Sequence, residues 1–351
     1  MTDARRDLLR ALGPWAALGG TLALVVGVRW LAYTHVDLRD VPGPASAQFV
    51  MLAETGRFYN WTIWLLAAFR DHSGLDPVTS AHTLMLLAGV LASTGAMMAG
   101  GALGGWRGAV GAGAVAALWS PFALTSLLVG ADAPATAGAW LGVGLCLLAG
   151  RTRWAGLPMS FGGALMALLT LGVKQVALPA IPLLAVAPLI GGRRWPWRLA
   201  HTLCLLAGAW LGYDLVTGYH QMDTAAAVAN PGLGTIREGW QLVFQLRANK
   251  GDSGALPDLL AMAALAAALP PYRRGWVRAI TLAIGILAIG ISAAAIANLT
   301  SRQLVAAGLG LVVLSGVLLG NAARVLTRLG PLRWLPLAAV VLLLGLDSLA
   351  M

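Results

Sequence analysis

Apolar residues along this chain come in long runs, and the charges between them sit in short turns. Runs of this length predict helices that cross a membrane, where a helix satisfies its own backbone hydrogen bonds. Their positions predict about eleven spans, at roughly 12–33, 79–103, 108–129, 135–150, 156–173, 175–191, 199–217, 256–271, 278–297, 303–320 and 334–350. Several are close to the lower limit of about 20 residues needed to cross. Residues 157–190 are also open to reading as a bent or re-entrant pair, because Pro179 and Pro182 interrupt them. The fold class expected is an all-α polytopic membrane protein. It forms one integral membrane domain over residues 1–351, with no soluble domain and no repeat.

Two polar segments are longer than turns, at 34–78 and 218–256. In the first, 45–54 and 61–69 predict short helices lying along the interface. Trp61, Trp64 and Phe69 would then face lipid, with Arg57, Arg70, Asp71 and His72 at the ends. In the second, residues 236–246 predict another interfacial helix.

Composition agrees with the pattern: 58% of residues are hydrophobic and 11% charged, with mean hydropathy +0.77. No soluble domain of this size hides that much apolar surface. The basic start, Met1–Arg10, leads into a long apolar run with no small-residue cleavage site, so it predicts an uncleaved first helix. Cys146 and Cys204 both fall inside apolar runs and suggest neither a disulfide framework nor a zinc site. The net charge of +10 comes from arginines scattered in turns, which topology explains better than nucleic acid does. With the amino terminus in the cytoplasm, inside turns hold Arg5, Arg6, Arg10, Arg107, Arg151, Arg153, Arg193, Arg194 and Arg198. They also hold the arginines at 273–278 and 324–333. Beyond Asp3 and Asp7, every acid is then expected on the outer face, which points to chemistry there. Scarce lysine beside abundant Ala, Gly, Leu and Arg suggests a high-GC bacterium, hence its inner membrane.

Candidate chemistry starts with Asp37 and Asp40 in Thr34-His-Val-Asp-Leu-Arg-Asp-Val-Pro-Gly43. Carboxylates at a cavity mouth deprotonate a hydroxyl or hold a divalent ion, and Pro42 keeps the backbone before it out of helix. A solvated loop with Arg39 as a surface partner is the plain alternative. Asp132, two residues before Pro134, is a good helix cap. Lys174, one of two lysines, is expected either to snorkel or to anchor a phosphate. Arg29 is expected to snorkel, and Asp214 and Asp347 to be interfacial. The histidines do not cluster, so no metal site is expected, and no cofactor is required although a divalent cation stays open. Paired glycines, Gly100-Gly101 and Gly104-Gly105, predict close helix packing. No Walker motif, haem-histidine pair or Cys-x-x-Cys is present.

The order of these features resembles the GT-C superfamily of membrane glycosyltransferases. The resemblance runs through Asp37-Leu-Arg-Asp40, the Ala45–Phe69 segment, Trp119-Ser-Pro-Phe-Ala123, Gly130-Ala-Asp-Ala-Pro134 and Val173-Lys-Gln-Val-Ala-Leu-Pro179, over roughly Arg10–Arg194. It implies Asp37 or Asp40 as general base on an acceptor hydroxyl. Lys174, with Arg39, would bind the phosphate of a polyprenyl-phosphate sugar donor, and Asp132 would position donor or acceptor. Inversion at the sugar carbon would follow. The acids here are spaced Asp-x-x-Asp, whereas an adjacent pair is frequent in the family. The partners implied are the lipid-linked donor, membrane lipid and an acceptor glycan, lipid or protein. Two other classes stay open: an inactive membrane subunit or scaffold of an envelope complex with membrane-protein partners, and a transporter. The clean Ala, Leu, Gly and Val middles of the spans count against the last.

Overall fold

The computed structural model describes residues 3–35, 61–126, 129–152, 154–190, 195–219, 236–243, 256–268, 275–295 and 304–325. Among them every regular element is helical. Five helices are long and apolar enough to cross a membrane, and shorter apolar helices pack beside them. This all-α architecture is consistent with a membrane-embedded protein; five helices of spanning length among the described residues leave the expected count of about eleven unconfirmed. The predicted helix at 45–54 and the predicted span at 334–350 lie outside them.

Helix α1 (Asp3–His35) leaves Leu22, Val26, Trp30 and Leu31 exposed, a flank that suits lipid. Helix α2 (Trp61–Ser73) buries Thr62, Ile63 and Leu66 and leaves Trp64 exposed. Its Trp61 turns inward onto Gly172, so of the aromatics expected on lipid this one belongs to the bundle.

Helix α3 (Pro77–Leu118) starts at Asp76, whose carboxylate accepts the Val78 and Thr79 amides at 3.1 Å each. Its 42 residues are two arms, broken at Gly105 (φ 72°, ψ −168°), a backbone that L side chains rarely adopt. The arms fold back on each other. Gly100 lies against the Gly108 carbonyl and the Ala112 methyl, and Gly113 against Met97. The paired glycines therefore serve packing, as expected, and Gly105 also makes the turn. After Trp119 the chain restarts as α4 (Ser120–Thr125), with Pro121 in the first turn, where its missing N–H costs nothing.

Helix α5 (Asp132–Ala149) is followed by α6 (Gly156–Leu169) and a single 3-10 turn, Thr170–Gly172. Beyond Lys174 comes a twelve-residue 3-10 helix, Gln175–Val186, running into α7 (Ala187–Ile190). Pro179 and Pro182 lie inside it, and Ala177, Ala180, Leu183 and Val186 are all buried at every third position, the period of a 3-10 helix. At its larger rise this stretch and α7 together cover about 30 Å, a bilayer's hydrocarbon depth in only sixteen residues.

The remaining helices are α8 (Trp195–Tyr219), α9 (residues 236–243), α10 (Leu256–Ala268), α11 (Gly275–Ala295) and α12 (Leu309–Val325). Helix α9 packs on α11: Gly239 meets the Gly290 backbone, and Trp240 Nε1 donates to the Ile286 carbonyl at 3.1 Å. Ahead of α12, residues 304–308 form a fully buried irregular turn whose Ala306 carbonyl accepts Trp140 Nε1 at 3.2 Å. Glycine crossings hold the centre, with Gly95 on Gly144 and Gly111 on Gly316. Trp119, Phe122 and Trp140 fill the core between them.

The helices give the bundle two ends. At the Gly105 end are Arg107, Arg151 and Arg198, where Arg151 donates to the Ala102 carbonyl at 2.7 Å. Arg278 donates to the Ala266 carbonyl at 2.8 Å and so ties α11 to α10. At the His35 end are Asp71, Asp76, Asp132 and Asp214. Within the bundle the Leu259 carbonyl accepts the Ser315 hydroxyl at 3.0 Å, beside the Gly316–Gly111 crossing.

Candidate functional site

Two residues singled out separately in the sequence meet at the His35 end. Lys174 Nζ donates to Asp132 Oδ1 at 2.5 Å, across 42 positions of chain. Asp132 is the first residue of α5, and the cap position before it is held by Ala131. The expected helix cap is thus one residue inside the helix, and its carboxylate is an ion-pair partner of Lys174.

Local backbone aims Lys174. The 3-10 turn ends with the amides of Val173 and Lys174 both donating to the Thr170 carbonyl at 3.0 Å. Lys174 itself is extended (φ −163°, ψ 139°) before the 3-10 helix begins. An extended residue between two tight turns throws its side chain out of the helical path and across to α5. The indole of Trp61 lies alongside; a Cβ added to Gly172 would be 3.2 Å from two of its ring atoms.

Burial divides the pair unequally. The Asp132 side chain is 12% exposed and that of Lys174 39%, so water reaches the ammonium and the carboxylate bears most of the desolvation. An ammonium has three donors; with one given to Asp132, the others can meet oxygens of an arriving anion. One turn inward on α5, Thr136 Oγ1 is buried with no hydrogen-bond partner, as is Thr62 Oγ1 beside Trp61. Nothing in their residue types marked either one in advance.

Arg29 corrects a second expectation. It does not snorkel: it is 1% exposed, with its guanidinium 4.6 Å above the Phe122 ring. Phe122 in turn stacks on Trp140 at 5.1 Å between centroids. Nη1 donates to the Val25 carbonyl at 3.3 Å, a long bond, while Nε and Nη2 have no partner. Gly89 on α3 makes the room, since a Cβ there would lie 2.5 Å from Nε.

Asp37, Arg39 and Asp40, the proposed base and phosphate ligands of the first outer segment, lie outside the described residues, as does Asp347. Asp214 is exposed near the end of α8. Among the described residues no three of His, Cys, Asp and Glu gather as a metal site would require. The buried contact of Ser160 Oγ with His201 Nδ1 at 2.8 Å ties α6 to α8 at the Gly105 end. No family model and no curated protein matches the chain.

Proposed function

We propose that this protein transfers a sugar from a polyprenyl-phosphate donor to an acceptor hydroxyl at its His35 end. The Asp132–Lys174 pair carries the reading: it fixes an accessible cation at the end of a bundle otherwise built of hydrocarbon. In this reading Lys174, with Arg39, binds the donor phosphate, and Asp132 holds the ammonium in place. Asp37 or Asp40 removes the acceptor proton while its oxygen bonds to the sugar carbon. The carbon–oxygen bond to phosphate breaks with inversion, and polyprenyl phosphate leaves with the charge that the cations stabilise. Three arginines at the Gly105 end, Arg107, Arg151 and Arg198, support an orientation with that end in the cytoplasm and the His35 end outside a bacterial inner membrane.

One observation favours a second reading. Lys174 already has its counter-ion, so the pair also serves as a clasp between α5 and the 3-10 helix of an inactive envelope subunit. Complementation of a deletion strain separates the two. Asp37→Asn, Asp40→Asn and Lys174→Ala are expressed at matched membrane levels, and envelope glycans and lipid-linked sugars are read by mass spectrometry. A transferase loses one sugar from its acceptor while the lipid donor accumulates in an acid variant. Full restoration by all three variants rejects the catalytic roles and leaves the clasp.

A further inference from the structure

The transferase reading makes no use of Arg29, yet this residue has the most costly environment of any charge described. A guanidinium keeps its proton, and this one is buried with a single long hydrogen bond to Val25 and the face of Phe122 for company. Its open donors are Nε and Nη2. These two share one edge of the planar group, the edge that meets two oxygens of a carboxylate or phosphate with parallel bonds. Three helices frame it: Arg29 from α1, Gly89 from α3, and Phe122 and Ser126 at α4, where a Cβ on Gly89 would lie 2.7 Å from that of Ser126. The site lies about 9 Å below the His35 terminus of α1. Beside it run the exposed apolar residues Leu22, Val26, Trp30 and Leu31.

We propose that the Arg29 edge is an oxoanion site in the seam between α1 and α3, taking two oxygens of a phosphate group. The occupant is an amphiphile with its headgroup on Arg29, whose donors are sealed in the empty protein, and its hydrocarbon along the exposed flank of α1. The proposal does not depend on the transferase reading. The test is thermal unfolding of the purified full chain in a non-ionic, phosphate-free detergent. The probes are farnesyl phosphate, dioleoylphosphatidylglycerol and inorganic phosphate, titrated separately. Wild type is expected to be stabilised by at least one, with Arg29→Met weakening that probe's apparent affinity at least tenfold and Lys174→Met changing it less. Ligand-free Arg29→Met is expected to melt no lower than wild type. If it fails to accumulate, Arg29→Lys carries the comparison, because it keeps the charge and loses the two-oxygen edge. Stabilisation by farnesyl phosphate alone names an isoprenyl phosphate, by phosphatidylglycerol as well a bulk lipid headgroup, and by inorganic phosphate a free anion. The proposal is overturned if no probe stabilises wild type, or if the Arg29 variants respond as wild type does. A loss confined to Lys174→Met also overturns it while leaving the transferase reading in place.

Discussion

Lys174 and Arg29 are both cations set into the same half of a hydrocarbon bundle, and the fold treats them in opposite ways. Lys174 has a carboxylate and partial access to water; Arg29 has neither. A paired, wet ammonium is cheap to keep and easy to displace. A dry guanidinium with two open donors costs stability in the empty protein, and the bundle keeps it only because a glycine gives it space. The difference separates a charge that holds the fold together from a charge that the fold accommodates.

Four experiments would break or sharpen that contrast. Gly89→Val should have the largest effect, about 3 kcal/mol of stability lost, because its side chain overlaps Arg29 Nε and the Ser126 Cβ. Repeating it in an Arg29→Ala background should recover part of the loss, as read by unfolding in detergent. Lys174→Met comes next. It strands a mostly buried carboxylate, at a cost of about 2 kcal/mol once the exposure of the lysine is discounted. The double variant Asp132→Leu/Lys174→Met should return to within about 1 kcal/mol of wild type; additive losses would deny the coupling.

Arg29→Met should leave ligand-free stability unchanged or raise it by about 1 kcal/mol, since an unpaired charge is removed and an apolar chain replaces it. A large loss would show that the Phe122 contact already compensates the charge. The smallest effect belongs to Asp76, an exposed carboxylate that neither pairs nor is buried. Hydrogen bonds from the Thr79 hydroxyl, then from the Thr79 and Val78 amides, hold its carboxyl below the ordinary 3.8. Its contribution is therefore present above that value and is lost as pH falls through the lower folded pKa. Asp76→Asn keeps an acceptor for the α3 amides and should remove this acid dependence, measured as hydrogen exchange at Val78 and Thr79.

Much of the bundle was legible in the chain. Long apolar runs named the helices, the break between 79–103 and 108–129 named the turn, and the glycine pairs at 100–105 named a packing face. The site was legible as residues but not as a pair: Asp132 and Lys174 each stood out, while nothing in a sequence reports contact across 42 positions. Arg29 was misread because a lone arginine near a helix end looks the same whether its side chain runs outward or inward. The deciding residue, Gly89, is on another helix. The spans at 175–191 and 303–320 were drawn from hydropathy, with Pro179 and Pro182 leaving 157–190 open as a bent or re-entrant pair. Residues 176–190 are apolar or proline throughout, so the three-residue period of Ala177, Ala180, Leu183 and Val186 shows in their burial and not in the sequence. The turn at 304–308 had no mark in the sequence either; its carbonyl is satisfied by Trp140, far away along the chain.

The hairpin closed at Gly105 also bears on how the chain is built. Its second arm, residues 106–118, extends only about 20 Å, less than the roughly 30 Å of a bilayer's hydrocarbon. Such a segment is a poor candidate to leave the translocon sideways by itself. Joined through one residue to the longer arm before it, it is expected to enter lipid as half of a folded pair, with Gly108 and Gly113 covered by that arm and Gly111 left for Gly316 of α12. A lesion at Gly105 is then expected to be felt first during synthesis, before any finished bundle exists to be destabilised.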